Sequence, residues 1–214
     1  MHSKFVVLSS FVLAFCGLTY EFVLAQSLST LLGSSVTQYS ITIGIFLAAM
    51  GFGAMYAQAD DDSRARLRRQ QLLLAVLAPG GFFGLWLSAL FLPALLSRII
   101  AYAVVAGIGF LTGSEIPLLM QIGGAPTRLK ILAADYFGML VASLVFPLVL
   151  LPRVGVFASV LYAGLLNCWI LFFLSSLRKH RVISLALASV LAILLVTQPW
   201  IRQWMSRQFV ASTG

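Results

Sequence analysis

An all-α integral membrane protein, a bundle of about seven transmembrane helices, is the fold class this sequence predicts, and three observations carry that reading. Hydrophobic residues make up 61% of the 214 positions and charged residues only 9%, against roughly 45–50% and about 25% in soluble domains. A water-soluble fold of this length could not hide so much apolar surface, so lipid is the expected solvent for most of it. The apolar residues fall into seven runs, each near the ~20 residues a helix needs to cross the hydrocarbon core. The basic residues, which give a net charge of +8, sit between those runs, which is how membrane topology is written. That placement argues against nucleic acid as a partner.

The runs cover residues 5–25, 36–58, 72–96, 99–121, 131–152, 154–176 and 182–200. Together they predict a single polytopic domain over 1–200, followed by an interfacial tail over 201–214 in which Trp200, Trp204, Arg202 and Arg207 form a membrane-surface belt. The alternating strands of a membrane barrel are absent, and helices remain as the way to satisfy the backbone in lipid. Short connections at Ser97-Arg98 and Pro152-Arg153 predict that spans three and four, and five and six, are antiparallel hairpins.

Orientation follows from the loops. Lys4, Arg64, Arg66, Arg68, Arg69, Arg128, Lys130, Arg178, Lys179 and Arg181 fall on one side, 10 of the 14 Lys and Arg residues. Arg98, Arg153, Arg202 and Arg207 fall on the other. The positive-inside rule then puts the N-terminus in the cytoplasm and the C-terminus outside, in a multi-pass protein of a bacterial inner membrane. The start, Met1–Lys4 before an apolar run ending in Val23-Leu24-Ala25, has some look of a signal peptide. Its length and the Tyr20-Glu21 pair argue for a retained span. Asp60-Asp61-Asp62 with Arg64–Arg69 reads as a charged cytoplasmic loop serving topology. Cys16 and Cys168 both lie inside apolar runs and read as small buried hydrophobes.

Glu21, Glu115 and Asp135 are carboxylates inside predicted spans. A charge at membrane depth costs at least ~2.5–3.5 kcal/mol on insertion scales, so each needs compensation, and each is a candidate functional site. The competing explanation is a structural hydrogen bond to a neighbouring helix. Glu115 lies about 9 Å from the cytoplasmic end of the fourth span and Asp135 about 6 Å into the fifth, which puts them in one layer. Glu21, about 24 Å along the first span, falls nearer the outer face and is not required to join them. The spans contain no basic partner beyond their edges. Protonation, a tyrosine or amide donor, or a cationic ligand would each satisfy the acids. Tyr20 and Tyr136 adjoin two of them, although neighbouring helical residues diverge by ~100° and would pair across helices. Acids beside aromatic rings suit an ammonium group.

Small residues make a second pattern. Gly51 and Gly53 in the second span, Gly109 and Gly113 in the fourth, and Gly138 beside Asp135 are expected to let helices approach closely. Pro117 and Pro147 are expected to bend their helices. Other chemistries lack their residues. His2 and His180 lie outside the spans, which removes an intramembrane bis-histidine haem or metal site and a Ser–His dyad. The last span holds no lysine for a retinal Schiff base, and neither a dinucleotide fingerprint nor a phosphate loop is present. No catalytic residue, metal site or cofactor is assigned.

Several motifs nonetheless form a recognisable order. They are Cys16-Gly17-Leu18-Thr19-Tyr20-Glu21, Leu32-Gly33-Ser34-Ser35, the stretch from Phe46 to Gly53, and Glu115-Ile116-Pro117. Ala134-Asp135-Tyr136-Phe137-Gly138, Phe146-Pro147-Leu148 and Leu151-Pro152-Arg153-Val154-Gly155 complete it. From Gly17 to Asn167 the chain resembles the multi-span region of membrane-bound spermidine-synthase-like proteins. In that family the region precedes a soluble Rossmann-type aminopropyltransferase domain that binds decarboxylated S-adenosylmethionine and putrescine. The resemblance implies either a transmembrane domain from a longer protein or a stand-alone version, because the sequence stops at Gly214 where such a domain would start. The family's catalytic residues have no counterpart here. A domain following a seventh, outward-running span would also lie outside the cytoplasm, away from its nucleotide-derived substrate.

The expected function is therefore a membrane module that binds or passes a polyamine or other small cation at Glu115 and Asp135, with Glu21, Tyr20 and Tyr136 contributing. Its partners would be the lipid bilayer and either a soluble aminopropyltransferase domain or other membrane subunits. Two alternatives are a small polyamine or cation transporter without enzyme activity and a structural membrane anchor. The sequence has no visible inverted repeat of the kind many transporters carry.

Overall fold

The computed structural model describes residues 3–33, 35–57, 62–175 and 178–213, with Ser35 and 198–213 as backbone only. The acidic residues Asp60 and Asp61, and the side chains of the Trp200 to Arg207 belt, lie outside the described residues. All regular elements among the described residues are helices: α1 (Ser3–Leu32), α2 (Ser35–Tyr56), α3 (Ser63–Phe91), α4 (Ala94–Gly113) and α5 (Glu115–Gly123). A 3₁₀ turn at Ala125–Thr127 then leads into α6 (Arg128–Val145), a π-helical stretch (Phe146–Val154), α7 (Gly155–Leu174) and α8 (Arg178–Thr213).

Among the described residues six stretches are long and apolar enough to cross a membrane: Ser3–Leu32, Val36–Tyr56, Ser63–Phe91, Ala94–Gly123, Ala125–Leu174 and Arg178–Thr197. The count differs from the seven expected because 131–152 and 154–176 run together in Ala125–Leu174, which is 50 residues long. The chain nevertheless turns back inside that stretch. Phe11 meets Phe137 and Phe22 meets Phe146, so α6 runs in the same sense as α1. Phe5 meets Phe173 and Cys16 meets Ala163, so α7 runs in the opposite sense. The reversal falls at Gly155, whose φ of 81° is the left-handed conformation that glycine adopts without cost.

The same pairings fix the other directions. Ser88 faces Ser97, and Gly81 faces Val104, which makes α3 and α4 antiparallel. Tyr102 reaches Gln38 and Gly113 meets Met50, which makes α2 and α4 parallel. Ser184 reaches Cys168 while Leu191 meets Gly164, so α8 returns against α7. The N-terminal ends of α1, α3, α6 and α8 therefore share one end of the bundle, which gathers the ten basic residues from Lys4 to Arg181.

α1 is the hub, packing against α2, α3, α4, α5, α6 and α7. One core cluster surrounds its second half, with Tyr20, Val23, Leu24 and Leu28 against Phe46, Phe82, Ile108 and Leu161. A smaller cluster lies at the basic end around Val6, Leu67, Leu119 and Ile131.

Several boundaries differ from expectation for physical reasons. α1 continues past Ala25 to Leu32 because its polar residues bond to their own turn: Ser27 Oγ donates to Val23 O and Thr30 Oγ1 to Gln26 O. The basic run Arg64–Arg69 is not a loop but the first turns of α3, capped by Asp62, whose carboxylate accepts from the Ala65 N–H at 3.1 Å. The turn between α3 and α4 lies at Leu92-Pro93, not Ser97-Arg98, since the residue before a proline is driven into extended backbone; Leu92 has φ −114° and ψ 153°. Where the prolines were expected to bend their helices, the regular α-helix is interrupted: α4 ends at Gly113 four residues before Pro117, and α6 gives way to the π stretch one residue before Pro147.

Candidate functional site

Three elements deliver the candidate acids. α1 extends about 45 Å, so Glu21 lies near its middle and not at its outer end. Glu115 is the first residue of α5, immediately after the break at Ser114. Asp135 sits about two turns into α6. Gly17 lies against Thr112 and Gly138 against Phe11 and Ala14, so both α4 and α6 press on the same part of α1.

The result is one cavity of about 170 Å³ that Glu21, Glu115 and Asp135 all line, between α1, α2, α4, α5 and α6. Glu115 and Asp135 share a layer as expected. Glu21 joins them on the same cavity, a placement that the residue count along α1 leaves open. All three are buried, with 5%, 4% and 4% of their surfaces exposed. Glu115 Oε1 accepts a 2.6 Å hydrogen bond from Gln71 Nε2, and the neighbouring Gln70 Nε2 donates to Ser114 Oγ at 2.6 Å. Neither Glu21 nor Asp135 has a hydrogen bond or ion pair among the described residues. Thr112 Oγ1, also on the cavity wall, is buried without a partner among the described residues.

Among the described residues no three acidic, histidine or cysteine side chains converge closely enough to hold a metal ion. The carboxylates are thus separate points on a wall and not one coordination sphere.

The two tyrosines do not join the acids. Tyr20 is buried on another face of α1, where its Oη accepts a 2.8 Å hydrogen bond from Asn167 Nδ2 on α7. Tyr136 is 61% exposed on the outside of α6. The ~100° step between adjacent helical residues accounts for both, since each tyrosine turns away when its neighbouring acid turns in. Four of the five expected packing glycines are at close contacts: Gly53 on Phe110, Gly109 on Phe46, Gly113 on Met50 and Gly138 on Phe11. Gly51 is the correction, because it faces open space on the outside of α2.

Gln70, Gln71, Ser114 and Thr112 belong to this polar layer and were not singled out from sequence. The adjacent glutamines were the available signal. They stood just before the apolar run at 72, where amides are ordinary, and only the longer α3 buries them.

A helical bundle with an enclosed acidic wall is the class that fold and site define. Comparison with curated proteins then finds polyamine aminopropyltransferases. Over 174 residues the chain is 41% identical to polyamine aminopropyltransferase 2 of Ralstonia nicotianae, covering 76% of this chain and 33% of that protein. It is 38% identical over 188 residues to polyamine aminopropyltransferase 2 of Streptomyces coelicolor, covering 77% and 32%. With the polyamine aminopropyltransferase of Leptospira interrogans the identity is 31% over 202 residues, covering 88% and 39%. The chain is therefore related to spermidine-synthase-like proteins, and it spans about a third of the length of these curated relatives. No family model matches it, and no solved structure does.

Proposed function

We propose that this chain is the membrane-embedded module of a spermidine-synthase-like protein, which binds or passes a polyamine or another small organic cation at Glu21, Glu115 and Asp135. The observation that carries this is the convergence of three buried carboxylates on one cavity that no basic residue lines. A buried charge demands a partner, and here a cationic ligand can supply it. The names of the relatives, polyamine aminopropyltransferases, favour a polyamine. Aminopropyl transfer itself would need a soluble domain, on the same polypeptide or a partner, because no residue here is assigned a catalytic role.

The bilayer is the proposed surrounding. The outer surface is apolar along its length, with Leu47, Phe52, Leu144, Leu148 and Val190 exposed. Counting Ala125–Leu174 as two crossings, in keeping with the reversal at Gly155, gives seven. The ten clustered cations put the N-terminus of α1 in the cytoplasm of a bacterial inner membrane. Many of these cations sit in first helical turns, where the helix dipole opposes them. Topology accounts for them better than helix stability does.

A structural anchor is the second reading, favoured by the Gln71–Glu115 bond, which satisfies one acid without any ligand. Thermal unfolding of the purified protein in detergent with putrescine and spermidine separates the two readings, with wild type beside Asp135→Asn. A saturable rise in melting temperature that the variant loses supports cation binding. No shift at millimolar polyamine, with the variant merely less stable, supports the anchor.

A further inference from the structure

The walls of the acidic cavity divide by exposure. Its carboxylates and Thr112 are buried, whereas the lining residues that reach the outer surface are Leu18, Leu47, Met50, Ile116 and Met139, all apolar. Leu47 and Met50 come from α2 and Met139 from α6, and these two helices make no substantial contact with each other. The cavity therefore opens sideways, through the gap between α2 and α6. Beyond the rim the surface stays apolar, with Phe137 and Leu140 exposed on α6 and Phe52 on α2.

A hydrophilic ammonium ion entering here would lose its water over a rim that offers no polar group in exchange. An alkyl chain laid across the same rim gains free energy. The cavity, at about 170 Å³, is also smaller than the roughly 300–1,000 Å³ typical of sites that enclose a whole drug-sized ligand. It has room for a charged head group and leaves a tail outside. Acids without a lining cation disfavour a zwitterionic phospholipid, whose phosphate would face the carboxylates. We infer that the site takes an amphipathic amine, an alkylammonium or N-alkyl diamine whose head reaches the Glu21, Glu115 and Asp135 wall while its chain crosses the apolar rim between α2 and α6. This rests on the reading of the cavity as a cation site and narrows the class of cation.

The test uses the protein in lipid nanodiscs, with n-alkylamines from ethylamine to octylamine, putrescine, spermidine and n-octanol as probes. Thermal stability is read for wild type, Asp135→Asn, Glu115→Gln and Leu47→Trp. Octylamine is expected to stabilise wild type at a concentration at least tenfold below that needed for putrescine. Apparent affinity should tighten about fourfold per methylene that becomes buried, the factor equivalent to ~0.8 kcal/mol per CH₂. The octylamine shift should vanish in Asp135→Asn and weaken in Leu47→Trp, with octanol giving none. Leu47 is exposed, so Leu47→Trp keeps the test readable if an acid variant fails to fold. Putrescine or spermidine binding as tightly as octylamine overturns the amphipathic class and leaves the cation site standing. Absence of a shift with every amine overturns both. An octylamine shift that octanol matches, or that persists in the acid variants or is unchanged in Leu47→Trp, is partitioning into the bilayer and also overturns the inference.

Discussion

Gln71 and Glu115 are joined by a 2.6 Å hydrogen bond that ties the first third of α3 to the first residue of α5. It is the only side-chain hydrogen bond that the three acids of the wall receive among the described residues, and it sits beside the parallel Gln70–Ser114 bond at the same helix break. Removing it exposes a buried carboxyl and an unsupported break together. Gln71→Leu is expected to lower unfolding stability in detergent by about 1–3 kcal/mol, the cost of leaving a buried polar group unmade. In a double-mutant cycle with Glu115→Leu the two changes should couple by at least ~0.5 kcal/mol. Strict additivity would mean that the bond contributes nothing.

The glycines give a contrast within a single helix pair. A Cβ at Gly113 would collide with the backbone of Met50, whereas one at Gly51 meets nothing. Gly113→Ala is expected to destabilise by about 1–3 kcal/mol through overpacking. Gly51→Ala should be neutral or stabilise by roughly 0.5–1 kcal/mol, the helix penalty of glycine relieved. Melting temperatures of the two variants check both signs.

Tyr20 lies outside the lining of the acidic cavity and bonds to Asn167 on α7. Tyr20→Phe deprives the Asn167 side chain of the one hydrogen bond it makes among the described residues, where its Oδ1 has no partner. Stability should fall by about 1–3 kcal/mol, while the midpoint of any amine titration stays where it is in wild type. A shifted midpoint would return Tyr20 to the site.

Orientation is open to labelling. Leu129 is exposed at the basic end and Pro93 at the opposite end, and the native Cys16 and Cys168 are buried. In intact spheroplasts an impermeant maleimide should modify Pro93→Cys directly. Leu129→Cys should react only after permeabilisation, and the reverse pattern would invert the topology.

Much of this architecture is written in the sequence at the level of apolar runs, because each run is a helix with an obligation to bury or to meet lipid. The layer shared by Glu115 and Asp135 was legible for the same reason, as depth follows from residue count along a helix. Whether Glu21 joins the other two acids stayed open, because Ser27 and Thr30 look like loop residues, while their hydroxyls bond back to their own turn and let α1 continue. Gln70 and Gln71 were passed over because burial of an amide depends on what packs across from it. The tyrosines do not line the cavity, and the ~100° step between adjacent helical residues is enough to turn each away from its neighbouring acid. The choice of Gly51 over other small residues needed knowledge of which side of α2 meets α4.

The central position of α1 has a consequence for how the protein is made. α1 precedes every helix that will surround it, and Asp135 follows Glu21 by 114 positions. At ~5–20 residues per second, roughly 6–23 s of synthesis separate the two. In a membrane, α1 would spend that interval carrying a carboxyl at mid-depth while α2 to α5 emerge in turn and α6, which completes the cavity, is still to come. Insertion machinery that retains α1 beside the growing chain until α6 emerges would shield Glu21, and assembly would proceed outward from the first helix to the last.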